Sequence, residues 1–541
     1  MTPLLKTFLK QPDWLAAILI TTAAVVLHLV SVFHMGGLWR DEESVVSIAT
    51  LPTLDEVFQT LPHDHCPILL PAIVRVCSLT HFGASDAGLR LLGICIGIFL
   101  LVALWAASLL TGKRPPLLSL ALAGLNFNII RYGDTIRAYG LASALAVLTL
   151  ALVWWFLEKP GVRSGLLAAA GAVLSVQALY QNAFFVMAIC IAGSVVCLRR
   201  RQNWNAFKVL ILGLPAALSL VPYAVPIHRA QAWWLVSKTG INLEVFFNRL
   251  FQATDNLMGV WVVLVVVAAI FGLSQFFATE ADKKNRPSDL SLFAGIALVL
   301  GLAGFTFFIK SSGLPTKVWY YIPALVFAAV CCDAVLPRVP RAAHLGILGA
   351  TIASAFLGCA SAYSNLQWRQ TNGDLVTALA AQKAGLRDLI VVYPWYDGIT
   401  FFRYYDGAAA WTTLPPLTDH RFHRYDLLKA QLQKTNAIAS VLAQAETVLR
   451  AGNKVWVAGE YRIPQANRPA PSDLPPAPNG PQGWYDEPYT HAWDDKFSYF
   501  LSHNATSVAV LGGYPTNAVN PLETMTLVEA QGWRSVNTNF P

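Results

Sequence analysis

The sequence has 541 residues, of which 55% are hydrophobic and only 13% are charged, and its formal net charge is +8. This composition excludes an ordinary soluble enzyme and predicts a polytopic membrane protein, because the apolar residues form many separate long runs. The basic residues cluster in short loops between the apolar runs. This distribution indicates the membrane topology and argues against nucleic-acid binding.

Apolar segments follow one another along the first two thirds of the chain. The first has no small-residue cleavage site after it, so we interpret it as a retained helix. The candidates cover residues 14–34, 66–82, 87–111, 116–132, 138–157, 164–180, 182–198, 207–226, 258–278, 291–309, 318–336 and 343–362. The short basic loops between them lie at 112–116, 158–163, 199–204, 282–288 and 337–341.

These basic loops can all be cytoplasmic only if one early segment does not cross the membrane. Segment 66–82 contains Pro67, Pro71 and the charged Arg75, and we predict that it is an amphipathic helix in the outer interface. About 11 transmembrane helices remain, with a cytoplasmic N-terminus. The polar motifs then emerge on the external face: "LWRDEES" (38–44), "HDHCP" (63–67), "RYGDTIRAY" (131–139), "YQN" (180–182), "HRAQAWW" (228–234) and "KSSGLPTKVWYY" (310–321).

After Tyr363 the sequence becomes mixed and water-soluble. Runs at 388–394, 454–460 and 507–513 predict buried strands, and 426–452 predicts one helix that ends at Gly452. We therefore expect a transmembrane catalytic domain over residues 1–362 and an extracytoplasmic α/β domain over 363–541.

Three groups of polar residues are candidates for chemistry. Asp41 and Glu42 follow the first apolar run, where a solvated helix end is the alternative explanation, and His63, Asp64 and His65 form a second cluster. Arg131, Asp134 and Arg137 share one short connection, where the alternative is an internal Arg–Asp pair that fixes a helical hairpin.

Lysines also lie on the external side, where the positive-inside rule disfavours them. Lys310 and Lys317, with Tyr320 and Tyr321, predict a pocket for an anion, and contact with lipid headgroups is the alternative. A carboxylate together with several cations indicates that a carboxylate activates a hydroxyl while the cations bind a phosphate that leaves.

The ordered motifs resemble the GT-C membrane glycosyltransferases, particularly glycosyltransferase family 39, which includes protein O-mannosyltransferases and aminoarabinose transferases. "LWRDEESVVSIA" resembles the first external loop with its W-x-D-E pattern, and "HDHCPILLPAIVRV" resembles the H-P-P-L interfacial helix. "GASDAGLRLLG", "RYGDTIRAYGLASALAVL" and "YYIPALVF" resemble later family segments in the same order.

The resemblance implies a GT-C fold and an enzyme that takes a hexose or pentose from a polyprenyl phosphate carrier, with inversion, on the non-cytoplasmic face. It implies that Asp41 is the catalytic base with Glu42 beside it, and that Arg137 and Tyr139 help to bind the donor phosphate. Around these roles we place two further sets. The phosphate set adds Arg131, Lys317 and Tyr320, and the substrate-pocket set holds His63, Asp64, His65, Asp134, Gln181 and Asn182.

The resemblance leaves a divalent metal open and implies no other cofactor. The expected partners are the lipid-linked sugar, membrane lipids and an acceptor that is a glycan, a lipid or a protein. The expected location is the bacterial inner membrane. A transporter or flippase of a lipid-linked sugar is the alternative function. A metalloprotease built on His63, His65 and His81 lacks a zinc-binding motif.

Overall fold

The structure is a computed structural model that describes residues 12–80, 83, 85–234, 242–277, 286–313, 316–335, 341–461, 471–479, 484–511 and 518–534. His81 lies outside the described residues. The chain divides into two compact units. The first comprises Met1–Phe33, Cys66–Val225 and Thr239–Leu366, and the second comprises His34–His65, Pro226–Lys238 and Gln367–Pro541.

The first unit is helical. Its α-helices are Pro12–His34, Leu69–Ser78, Asp86–Gly112, Leu117–Ser119, Phe127–Gly133, Ala138–Glu158, Val162–Ala178, Asn182–Arg199, Asn203–Leu212, Leu214–Leu220, Ala224–Ala230, Leu243–Ala253, Met258–Ser274, Arg286–Ser312, Ile322–Val335 and Arg341–Leu366. Short 3-10 or π turns cover Leu120–Gly124, Val221–Tyr223, Gln275–Phe277 and Val318–Tyr321. In the described part of the chain, 8 helical stretches are long and apolar enough to cross a membrane. The protein is an integral membrane protein.

Two early segments are not single long helices. Leu69–Ser78 has 10 residues, about 15 Å, which is too short to cross a bilayer core of roughly 30 Å. This agrees with the interfacial helix predicted for segment 66–82. The predicted crossing at 116–132 is wrong as a continuous span, because the helix stops before Asn126, whose side chain accepts a hydrogen bond from the Ile129 amide and starts a new helix.

The second unit is built around a five-stranded sheet. The strands are β1 (Leu389–Tyr393), β2 (Ala410–Thr413), β3 (Lys454–Gly459), β4 (Ala505–Leu511) and β5 (Thr526–Trp533), in the spatial order β2-β1-β3-β5-β4. β1 is parallel to β2 and β3, whereas β5 is antiparallel to β3 and β4. The predicted strands correspond to β1, β3 and β4, but the predicted burial is wrong for β4, which is a largely exposed strand at the edge of the sheet.

Helices cover both faces of this sheet. The strand β1 is therefore buried throughout, although its alternate side chains point to opposite faces. The Leu389 side packs against one group of helices, and the Ile390 side packs against another. The α-helices of this unit are Arg40–Ala49, Leu54–Thr60, Gly373–Lys383, Asp397–Tyr404, Tyr425–Leu432, Ala439–Arg450 and Glu487–Asn504, with 3-10 turns at Leu61–His63 and Pro521–Glu523. The single helix predicted over 426–452 is therefore two helices. Its predicted end is right, since Gly452 has a φ of 79°.

We call the region at the carboxyl ends of β1 and β3 the crevice, because the strand order makes it the topological switch point at which open α/β folds bind ligands. Strands β2 and β3 lie on opposite sides of β1, so the strand order reverses at the carboxyl ends of β1 and β3. Tyr396 and Asp397 follow the end of β1, and Glu523 precedes β5, which starts opposite the last residue of β3.

Candidate active site

Within the second unit, the segment that leads to Asp41 is hydrogen-bonded to the C-terminal part of the chain. The Met35 carbonyl accepts a hydrogen bond from the Gln370 amide at 2.8 Å, and the Leu38 amide donates to the Tyr404 hydroxyl at 2.6 Å. Gly36 has a φ of 72°, and a Cβ there would lie 2.4 Å from the guanidinium carbon of Arg369. The chain thus reaches the motif "LWRDEES" along a path that requires glycine.

The three acids of the motif have different surroundings in the first turn of Arg40–Ala49. Glu42 is fully buried, and its carboxylate accepts a hydrogen bond from the Trp39 amide at 3.2 Å, as a helix-capping group does. Glu43 is bonded to Arg403 and to Ser47. Asp41 keeps 15% of its side chain exposed, so it is the most accessible of the three carboxylates.

Asp41 lies between two cationic or protonatable groups. Its Oδ1 is 3.5 Å from Nε2 of His423 and 3.8 Å from Nε of Arg40. His423 belongs to "HRFHRYD" (420–426), which the sequence analysis did not select. The density of histidine and arginine in that stretch was the available signal, but nothing local connects it to Asp41.

Arg40 fills the crevice at the carboxyl ends of β1 and β3. Its Nη1 is 3.2 Å from Glu523 and 3.4 Å from Asp397, and it donates to the Leu522 carbonyl at 2.9 Å. The guanidinium carbon lies 4.3 Å from the centre of the Tyr396 ring. The residue next to Asp41 is therefore anchored by ion pairs, a hydrogen bond and a ring contact at the carboxyl ends of β1 and β3.

Burial and charge oppose each other in this cluster. Burial disfavours the charged form of Arg40, but the carboxylate of Glu523 and its neighbours outweigh burial and raise the pKa of the guanidinium. Burial likewise raises the pKa of Asp397 and of Glu523, because one arginine compensates two carboxylates. Arg40 is the cation that this buried pair needs.

The predicted cluster at 63–65 contacts aromatic residues of the same unit. The His63 ring stacks on Trp233 at 4.3 Å and 11°, and its Nδ1 lies 2.9 Å from the carbonyl oxygen of His423. His65 lies 5.2 Å from the ring of Trp234. Burial lowers the pKa of His63 to about 4.

Asp64 is predicted to belong to the same substrate pocket. It is 4% exposed, and its amide closes the preceding 3-10 turn by donating to the Leu61 carbonyl. The substrate-pocket role of residues 63–65 stays a prediction.

In the first unit, some predicted donor-site residues lie together. The guanidinium carbon of Arg137 is 5.9 Å from the Tyr139 ring, and the Tyr139 ring is 6.2 Å from that of Tyr320. The side-chain amide of Gln181 donates to the Tyr320 carbonyl at 3.4 Å. Lys317 caps the 3-10 turn Val318–Tyr321, where its carbonyl accepts from the Tyr320 amide.

Other predicted residues have bonds of a structural kind. Nδ1 of His28 is 2.7 Å from Oδ1 of Asp134, and both side chains are buried. Arg131 donates to the Asn365 carbonyl at 2.5 Å. Asn182 donates to the Ala142 carbonyl at 2.9 Å and to both oxygens of Ser175.

The partner found for Asp134 is thus a histidine rather than the arginine of the alternative explanation. The roles of Asp134, Arg131 and Asn182 at the site stay predictions.

The side chains near Asp41 do not fit a divalent metal ion. Asp41 and His423 are residue types that bind metals, but no group of three His, Cys, Asp or Glu in the described part of the chain is placed to hold one.

No protein-family model matches the sequence, and no curated protein matches it. Among solved structures, the chain is similar to ArnT from Cupriavidus metallidurans bound to undecaprenyl phosphate, at 14% identity over 82% of this chain and 92% of that chain, with a TM-score of 0.48. It is similar to the oligosaccharyltransferase of Archaeoglobus fulgidus tethered with an acceptor peptide, at 10% identity over 96% and 74% of the two chains, with a TM-score of 0.46. It is also similar to the arabinosyltransferase EmbB from Mycobacterium smegmatis, at 13% identity over 66% and 31%, with a TM-score of 0.35.

Proposed function

We propose that this chain is an inverting glycosyltransferase that moves a sugar from a polyprenyl phosphate to an acceptor hydroxyl on the extracytoplasmic face of the bacterial inner membrane. The N-terminus is cytoplasmic and the C-terminal domain is extracytoplasmic in this proposal. The observation that carries it is the state of Asp41, an accessible carboxylate in the first turn of the Arg40–Ala49 helix. Its two acidic neighbours are engaged in capping and in an ion pair.

Asp41 acts as the general base in a single displacement. The acceptor O–H bond breaks, its proton goes to the Asp41 carboxylate, and the oxygen forms a bond to the anomeric carbon. The bond from that carbon to the phosphate oxygen breaks, and polyprenyl phosphate leaves with the electron pair. Attack from the face opposite the leaving phosphate inverts the configuration, and one carboxylate is sufficient because the phosphate leaves without a general acid.

Binding of the donor phosphate is assigned to Arg137, Tyr139, Tyr320 and Lys317. The cation of Arg137 and the neighbouring tyrosine rings support this assignment, because a guanidinium and phenol hydroxyls supply the donors that a phosphate oxygen needs. The same positive groups stabilise the charge that develops on the phosphate as the sugar departs.

The test is the substitution Asp41→Asn, which keeps the size of the side chain and removes the base. The full-length protein is reconstituted in vesicles with undecaprenyl phosphate that carries a radiolabelled hexose or pentose, together with cell-envelope acceptors, and released undecaprenyl phosphate is measured. We expect transfer to fall by about 10²- to 10⁴-fold. Asp55→Asn is the matched control, since Asp55 is exposed in the first turn of the next helix.

A folded Asp41→Asn protein with wild-type transfer would show that Asp41 is not the base. Movement of the labelled lipid across vesicles without acceptor, with no release of undecaprenyl phosphate, would identify a transporter instead.

A further inference from the structure

We infer that His423 is a positioning residue for Asp41: its imidazole holds one oxygen of the catalytic carboxylate. This inference rests on the proposed function. It concerns a residue of the soluble part of the chain that the sequence resemblance does not include. The geometry behind it is the distance of 3.5 Å between Nε2 of His423 and Oδ1 of Asp41. Contacts of catalytic groups are often this long without substrate and shorten when it binds.

The His423 ring is held in place on several sides. It stacks on Tyr425 at 5.7 Å and 13°, and it meets the edge of Trp395 at 6.2 Å and 90°. Its backbone carbonyl oxygen lies 2.9 Å from Nδ1 of His63. His423 is only 7% exposed, so the ring presents Nε2 to the carboxylate without rearrangement, which is the preorganisation that a positioning group requires.

The other charged groups of this loop are largely compensated by one another. Arg424 is bonded to Asp419 and to Asp426, and Arg421 is also bonded to Asp419. On the other side, Arg40 lies 3.8 Å from the same oxygen of Asp41. Two titratable groups thus act on Asp41 besides the constant cation Arg40: His423, which contacts it directly, and Glu523, which is paired with Arg40 and whose raised pKa depends in part on the charge of Asp41.

Two effects follow for the reaction. An N–H of His423 that donates to Oδ1 leaves Oδ2 to accept the proton of the acceptor hydroxyl, so the carboxylate is oriented for the transfer. A protonated His423 also places a second positive charge beside the Asp41 carboxylate, so its removal should change the pH dependence of the transfer. The proton still moves from the acceptor to Asp41, and His423 exchanges none with the substrate.

The experiment compares three variants of the full-length protein in the vesicle assay. His423→Phe keeps an aromatic ring and removes the donor, and we expect kcat to fall by about tenfold or more while the KM for the lipid-linked sugar stays within about twofold. His423→Gln keeps a donor without the titrating charge. We expect it to recover most of kcat but to shift the acidic limb of the pH profile of kcat/KM upward by about one pH unit.

His420→Gln is the matched control, because His420 lies in the same stretch but stacks on Trp411 at 4.5 Å. We expect wild-type kcat and a wild-type pH profile for it. The inference is overturned if both His423 variants give the wild-type kcat and profile. If His423→Phe does not fold, the acidic limb of His423→Gln decides, and an unshifted limb overturns the inference.

This result is separate from the test of the proposed function. If Asp41→Asn is inactive and both His423 variants behave as the wild type, Asp41 remains the proposed base and only the role of His423 is refuted.

Discussion

Replacing Arg40 by methionine tests whether the crevice of the α/β fold anchors the loop that carries Asp41. Methionine fills part of the volume of arginine but leaves Glu523 and Asp397 without their cation. Both carboxylates are buried, and Glu523 also accepts hydrogen bonds from the Arg40 amide, at 3.0 and 3.2 Å to its two oxygens. The backbone part of this contact survives the substitution, whereas the ion pairs and the contact with Tyr396 are lost.

The expected cost follows from burial. Removing one partner of a buried ion pair costs about 3–5 kcal/mol, because the remaining charge is left without compensation. For a unit of roughly 200 residues, each kcal/mol lowers the melting temperature by about 2–4 °C, so we expect a decrease of about 6–20 °C. We expect a decrease in melting temperature toward the lower end of this range. The pKa values of Asp397 and Glu523 are already raised, and a carboxyl that loses its cation takes up a proton.

The assay is thermal unfolding of the full-length protein in detergent, followed by tryptophan fluorescence, since several tryptophans lie in the core of this unit. Lys496→Met is the control, because the ion pair of Lys496 with Asp473 is partly exposed and is worth below about 1 kcal/mol. The double variant Arg40→Met with Glu523→Gln should recover stability relative to Arg40→Met alone. A decrease for Arg40→Met no larger than for Lys496→Met, or strictly additive effects in the double variant, would refute the anchoring role.

Three further predictions concern other contacts. His28→Leu leaves the buried carboxylate of Asp134 without its histidine, so we expect a lower melting temperature in detergent. Adding Asp134→Asn to the same chain should restore part of the lost melting temperature. An unchanged melting temperature for His28→Leu would contradict the pairing. Burial lowers the pKa of His63 and of His420 to about 4, below the value of about 6.5 in the unfolded chain. Between these two pH values the native state binds fewer protons than the unfolded state. The free energy of unfolding should therefore fall as the pH decreases from about 6.5 to 4. His63→Gln should flatten this part of the stability profile, and an identical profile would show that His63 does not contribute. Arg137→Gln should weaken binding of the lipid-linked sugar and lower kcat/KM by about tenfold or more, measured as release of undecaprenyl phosphate. A kcat/KM equal to that of the wild type would show that Arg137 does not bind the phosphate.

The sequence predicted most of what depends on local composition. Long apolar runs became membrane-spanning helices because length and hydropathy determine such helices with little help from tertiary contacts. The short helix after His65 was predicted from its prolines and a charge. The strands β1 and β3 were predicted from compact apolar runs. Breaks inside apolar or amphipathic stretches were missed: Asn126 interrupts one segment by capping the next helix, and periodicity alone does not register such a cap.

The candidate site was predictable only where its residues are close in sequence. Asp41 was selected as a candidate because a charge next to a membrane helix has a high energetic cost, and its role stays a prediction. His423 and the partners of Arg40 were not found, because they meet the motif only after the sheet has formed, and no spacing in the sequence encodes that contact. Glu42 matched the expected pattern next to Asp41, and its buried capping bond came from the structure alone.

The occupation of the crevice by Arg40 has a consequence for how the protein can be divided. The second unit is assembled from residues 34–65, 226–238 and 367–541, so it cannot be removed by a single cut at Leu366. A chain shortened there would keep Asp41 in its sequence but lose the carboxylates, the aromatic ring and the histidine that hold its loop. The C-terminal region and the segment 34–65 therefore form one structural unit, and an exchange of either one requires the exchange of both.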